Sequence, residues 1–124
     1  MRSLPLLALL SGCCGGYAGA GDRVYQQGTA QLILCGNNGF FAQLTDGSTI
    51  EGTYTESAGS GVATTGATGA VAFDYTITSG ALAAPQLDAD VWTALSLDKT
   101  ALDHADVHCT DLQMRPWWPA TAAP

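Results

Sequence analysis

Between Ala70 and Thr78 the side chains alternate without a break. Val71, Phe73, Tyr75 and Ile77 occupy one parity, and Ala72, Asp74, Thr76 and Thr78 the other. A period of two suits an extended strand with one face buried, and no helix can gather those four apolar residues on one side. Thr49 to Thr55 repeats the pattern, with Ile50, Gly52 and Tyr54 opposed to Thr49, Glu51, Thr53 and Thr55. Each such strand needs other strands to pair with and an apolar layer to cover its buried face. The chain is therefore committed to sheet.

Turn chemistry supplies the connections. Ala30 to Cys35 reads as a strand, Gly36-Asn37-Asn38-Gly39 as a turn whose Asn and Gly tolerate positive φ, and Phe40 to Thr45 as the returning strand. Asp46-Gly47 marks the next reversal, into the Thr49 strand. Ser57 to Gly69 holds Ser, Gly, Ala and Thr with a single Val, and is expected to be a long loop. After the Ala70 strand, Gly80 to Asp90 reads as a loop around Pro85 and Val91 to Leu97 as a fifth strand. A helical turn is expected within Asp98 to Ala105, and a last strand over Val107 to Met114. The expected fold is all-β: a small antiparallel barrel or sandwich of about five to seven strands, with at most a short helical turn. A chain of 124 residues has room for one such domain, placed here at residues 23–124.

The net charge of −7 argues against binding to nucleic acid phosphates or, by charge, to anionic lipid headgroups. The first residues are of a different kind. Met1 and Arg2 form a minimal positive start, and Leu4 to Leu10 a short apolar run, as in a secretory signal. Ten helical residues would cover about 15 Å, roughly half of a hydrocarbon core, so this run is too short to span a bilayer. Leu10, Ser11, Gly12 and Cys13 follow, and this tetrad resembles the lipobox of bacterial lipoproteins: an aliphatic residue, two small residues and cysteine. The resemblance implies a signal peptide over residues 1–12, cleavage before Cys13, and a diacylglyceryl group on the Cys13 thiol, usually with acylation of the freed amine. It covers the first 13 residues. Several acyl chains, each buried methylene contributing about 0.8 kcal/mol, give the stable anchoring that one chain does not. Residues 13–22, with Gly15, Gly16, Gly19 and Gly21, would form a flexible tether. Cys14 stands where Asp would favour inner-membrane retention, so the expected location is the outer membrane, facing the periplasm or the surface. The membrane, reached through the Cys13 lipid, is the one partner this reading names.

With Cys13 acylated, three cysteines remain and three single pairings are open. Cys35 with Cys109 is favoured, because both lie at ends of expected strands inside the domain while Cys14 lies on the tether. Cys35 and Glu51-Gly52-Thr53-Tyr54 are also similar to features of small-barrel envelope lipoproteins of the NlpE type and of the META domain, which combine a lipid anchor, an early cysteine and strands ending in Gly-x-Tyr. The resemblance stops at those residues.

Constellations with chemical potential are sparse. His104 and His108 have the i, i+4 spacing that sets two imidazoles on one helical face, and Asp106 lies between them, so these three are the candidate ligands for zinc or copper. A strand beginning at Val107 would break that face, and the segment then reads as an acidic loop leading into a disulfide. Asp88-Ala89-Asp90 has too few oxygen ligands for a calcium loop, and Gly59-Ser60-Gly61 lacks the flanking pattern of a nucleophile elbow. No catalytic residue and no cofactor is assigned. Trp92, out of phase with Val91 and Leu95, is expected over the outer face or the helical turn. At least one of Trp117 and Trp118 is expected to plug the end of a barrel. The functional expectation is a lipid-anchored, non-catalytic binding or structural module, with metal binding through His104 and His108, or a hydrolase of unrecognised site, as alternatives.

Overall fold

The computed structural model describes residues 21–88, 90–95 and 99–119. The expected signal peptide and lipobox, Cys14 and all of the tether before Gly21 lie outside these residues.

Eight strands run in order around a closed barrel: β1 (Arg23–Gln27), β2 (Ala30–Leu34), β3 (Gly39–Gln43), β4 (Thr49–Ser57), β5 (Ser60–Thr65), β6 (Val71–Thr78), β7 (Ala81–Ala83) and β8 (Trp92–Ala94). Every neighbouring pair is antiparallel, and β1 meets β8 through Tyr25 opposite Ala94 and Gln26 opposite Thr93. Closure leaves no open sheet edge. One helix, α1 (Lys99–Leu112), follows β8. Among the described residues no helix is long and apolar enough to cross a membrane.

The all-β expectation holds, and of its two forms the chain adopts the barrel. Several local expectations do not hold. Ser57 to Gly69 is not a long loop: Ala58 and Gly59, with φ of 53° and 82°, make a two-residue hairpin turn, and β5 pairs along its length with β4 and β6. Ser79 and Gly80 repeat this device ahead of β7, a strand that lies inside the stretch read as the Pro85 loop. A turn with positive φ at both central residues matches the twist of the flanking strands. β1 adds the remaining extra strand, so the described residues hold eight rather than five to seven.

Val107 to Met114 is not a strand. Lys99 to Leu112 is continuous helix, longer than the turn expected there. Its apolar stripe is Ala101, Ala105, Cys109 and Leu112, spaced four, four and three residues apart. Small side chains make that stripe inconspicuous in sequence. The four last carbonyls of the helix all find donors. Cys109 accepts from the Asn37 side-chain amide at 3.0 Å, and Thr110, Asp111 and Leu112 accept from the backbone of Gln113, Met114 and Arg115.

Strand alternation divides the buried residues into two cores. Tyr25, Leu32, Leu34, Phe40, Ala42, Tyr54, Ala63, Phe73, Tyr75, Leu82 and Trp92 point inward and fill the barrel. An eight-stranded barrel is just wide enough for side chains to do this. Val24, Ile33 and Phe41, facing outward on three adjacent strands, meet Ala105, Cys109 and Leu112 of α1, with Leu95, Trp117 and Trp118 at the margin. Trp92 is therefore not on the outer face but wholly buried inside. Neither Trp117 nor Trp118 plugs the barrel end, since both pack with the helix against the outer wall. In β6, one extra residue opposite Ala63 and Thr64 shifts the register, so Val71, expected to share the face of Phe73, is left 63 % exposed.

Candidate functional site

Three polar constellations stand out on this frame. At the barrel end where β1 begins and β4 ends, Arg23, Tyr54, Glu56 and Tyr75 occupy inward-facing positions. Arg23 donates to both oxygens of Glu56, at 3.2 and 3.0 Å, and to the Tyr54 hydroxyl at 3.4 Å. Tyr75 donates to Glu56 at 2.6 Å, and Tyr54 donates to the Cys35 carbonyl at 2.6 Å. These groups cover the apolar filling with hydrogen-bonded polar atoms. Beside them lies an open depression of about 400 Å³, lined by Glu56, Gly61, Asp74, Tyr75 and neighbouring hydroxyl side chains. Gly61 is required here because a Cβ would overlap the Tyr75 ring.

The electrostatics hold each member in one state. Partial burial works against ionising Glu56, but hydrogen bonds from Arg23 and Tyr75 outweigh it and keep its pKa below the ordinary 4.5. Burial disfavours the Arg23 charge, yet its bonds to Glu56 and Tyr54 raise its pKa. Burial raises both phenols, Tyr75 further through its bond to Glu56. All four shifts run away from neutrality, so Arg23 stays positive, Glu56 negative and both phenols protonated around pH 7. The cluster forms a hydrogen-bonded lid over this end of the barrel.

The second constellation surrounds the crosslink. Cys35, at the end of β2, is bonded to Cys109 of α1 with Cα atoms 5.8 Å apart across 74 residues, as expected from the sequence. Buried Asp22 accepts from the Gly36 N–H at 2.7 Å. Asp22, Cys35 and Cys109 bring their side-chain ligand atoms within 4.8 Å of one another, the one such group of three among the described residues. The disulfide consumes both thiolates, so this group is not a metal centre.

The third constellation is the histidine pair. Because residues 99–112 form one helix, His104 and His108 do share a face, with ring centroids 4.7 Å apart and planes at 78°. His108 also lies flat on Phe41 of β3, centroids 4.1 Å apart and planes at 14°. Partial burial, then the charge of His104, keep the His108 pKa below the ordinary 6.5, with Asp111 and Glu51 pulling the other way and Arg115 reinforcing the depression. Asp106 does not join the pair. At about 100° per residue it stands roughly 200° around the helix from His104. Asp111, seven residues beyond His104 and exposed, returns to within about 20° of it. Asp111 was not legible as a partner while the segment beyond Val107 read as strand. Next to this face Arg115 forms a two-point pair with Glu51 of β4, at 2.6 and 3.2 Å, which ties the segment after α1 to the barrel wall.

Arg23, Tyr54, Glu56 and Tyr75 had no motif to announce them. Their one signal is parity: Arg23 and Glu56 share the inward register of Tyr25 and Tyr54, where a charge needs a partner. Asp88 and Asp90 stay in the exposed connection before β8, with the Asp88 carboxylate accepting from the Asp90 N–H. Ser60 lies in the Ala58-Gly59 hairpin strand, not at a strained elbow. Compared with known proteins, the chain matches no family model, no curated protein and no solved structure.

Proposed function

We propose that this chain is a bacterial envelope lipoprotein, held at a membrane through lipid on Cys13, whose barrel is a non-catalytic binding or structural module. The observation that carries the reading is Leu10-Ser11-Gly12-Cys13 behind a short apolar run. Two features of the domain support it. The Cys35–Cys109 disulfide suits an oxidising compartment, as the periplasm or the cell surface is and the bacterial cytosol is not. The barrel interior is filled by aromatic and aliphatic side chains and its mouth is covered by groups locked in one charge state. Contact with a ligand or a protein then falls to the outer surface, where the helix and its two histidines lie. Residue 14 is not Asp, which favours the outer membrane as the place of anchoring.

Intact mass of the protein extracted from membranes tests the reading directly. The expected species begins at Cys13, carries diacylglyceryl and amide-linked acyl groups, and is two hydrogens lighter for the disulfide. A Cys13→Ala variant should leave the membrane fraction. A full-length chain without acyl groups would overturn the proposal.

A further inference from the structure

We infer that His104 and His108 form a surface site for a borderline divalent transition metal, copper(II) before zinc(II), with Asp111 in place of Asp106 as the third protein ligand. The site lies on α1 and does not depend on the Cys13 anchor.

Geometry carries the inference. Two imidazoles one helical turn apart, with centroids 4.7 Å apart, can turn one nitrogen each toward a common ion. His104 is exposed and free to adjust, whereas His108 is backed by Phe41, whose stacked ring fixes the imidazole plane. A ligand held in orientation by its surroundings loses less freedom on binding. Asp111 is the exposed carboxylate on the same face of the next turn; its oxygens do not converge with the two imidazoles in the metal-free chain, so it would join the ion by turning its side chain, and water would fill the remaining positions.

The two charges beside the pair, Glu51 and Arg115, are engaged with each other. Glu51 is engaged at both oxygens by Arg115, and Arg115 reaches only the backbone carbonyl of Asp111, at 3.5 Å, so the Asp111 carboxylate is not its partner. The net charge of −7 favours a dication at long range. Imidazole with carboxylate suits copper and zinc, and the divalent series places copper ahead. Cys109, on the same helix, offers no thiolate, since it is crosslinked to Cys35.

The full chain, extracted in detergent, is titrated by calorimetry with copper(II) chloride and separately with zinc chloride, and the equimolar copper complex is examined by electron paramagnetic resonance. One equivalent of copper should bind with a dissociation constant on the order of 10 μM or tighter, and zinc more weakly. Two equatorial nitrogens are expected in the copper spectrum. His104→Ala should weaken copper at least about tenfold and leave one nitrogen, and because His104 is exposed the metal-free melting temperature should not move. Asp111→Asn should weaken copper by a smaller factor, and Asp106→Asn should leave it unchanged. Copper should raise the melting temperature of the native chain and not that of His104→Ala. No saturable binding, an affinity unaltered by His104→Ala, or a loss with Asp106→Asn equal to that with His104→Ala would overturn the site.

Discussion

The protein has two cores separated by a single layer of strands, and they are held together differently. Inside the barrel, large residues face small ones across the sheet: Tyr54 is paired with Ala63, Ala63 with Phe73, and Gly61 with Tyr75. Phe40 and Phe73 meet edge to face at 5.4 Å. Apolar packing and strand closure dominate there, with the hydrogen bonds of Arg23, Tyr54, Glu56 and Tyr75 gathered at the mouth. Outside, the helix offers one alanine, a cysteine and one leucine to Val24, Ile33 and Phe41, and that small contact is reinforced by discrete links: the disulfide, the Asn37 side chain and the Glu51–Arg115 pair. The interior core is stabilised by volume, while the outer one depends on a few named connections.

Truncation inside should have the largest effect. Phe40→Ala removes a fully buried ring and is expected to lower stability by about 3–5 kcal/mol, measured by chemical denaturation. A loss below about 1 kcal/mol would mean that the interior collapses around the gap and is not packed as described. Next comes the crosslink. Cys35→Ser with Cys109→Ser frees a loop of 74 residues, worth about 4 kcal/mol in the chain-entropy model. Hydrogen exchange would sharpen the comparison: faster exchange in α1 than in β2 to β4 would show the outer core opening by itself, while equal acceleration would show that both cores unfold as one unit.

A smaller effect is expected at the seam between Gly66 and the Trp117 ring, which a Cβ would overlap. Gly66→Ala should cost about 1–3 kcal/mol and perturb Trp117 fluorescence, leaving Trp92 in the interior unaltered. Selective replacement of the other tryptophans would assign the signal. The smallest effect belongs to the lid. Glu56 has its pKa depressed in the folded state, so its contribution is present above about pH 4.5 and is lost as pH falls through the folded value. Glu56→Gln should therefore be slightly less stable than the native chain near pH 7, by less than about 1 kcal/mol, and the two should converge in acid. A difference that persists below pH 3 would show that Glu56 acts by shape and not by charge.

The two cores were not equally legible. Alternation in β4 and β6 assigned Ile50, Tyr54, Phe73 and Tyr75 to one buried face, and Asn-Asn-Gly and Asp-Gly marked the reversals between β2, β3 and β4. β5 escaped notice because its inward residues, Gly61 and Ala63, are small for the sake of the tyrosines and phenylalanine beside them. Their burial is a property of three strands, and one strand read alone looks polar. The helix escaped for a related reason. Ala105 and Cys109 face the outer wall only because Val24, Ile33 and Phe41 turn their own apolar side chains outward there. Spacing alone set His104 and His108 on one helical face, but an expected strand at Val107 would have broken it; the continuous helix keeps that face and turns Asp106 away from it.

The sequence by itself determined that the chain is built on antiparallel sheet, favoured Cys35 with Cys109 among three open pairings, and marked the reversals at Asn37-Asn38-Gly39 and Asp46-Gly47. These depend on period, count and local backbone chemistry, all of which act between near neighbours. Only the tertiary structure decided that the sheet closes on eight strands, that Trp92 goes inside, and that α1 covers the outer wall and sets His104 against His108. Each of those follows from which distant surfaces find enough apolar area and enough hydrogen-bond partners in one another, a balance struck over the whole chain and not within any stretch of it.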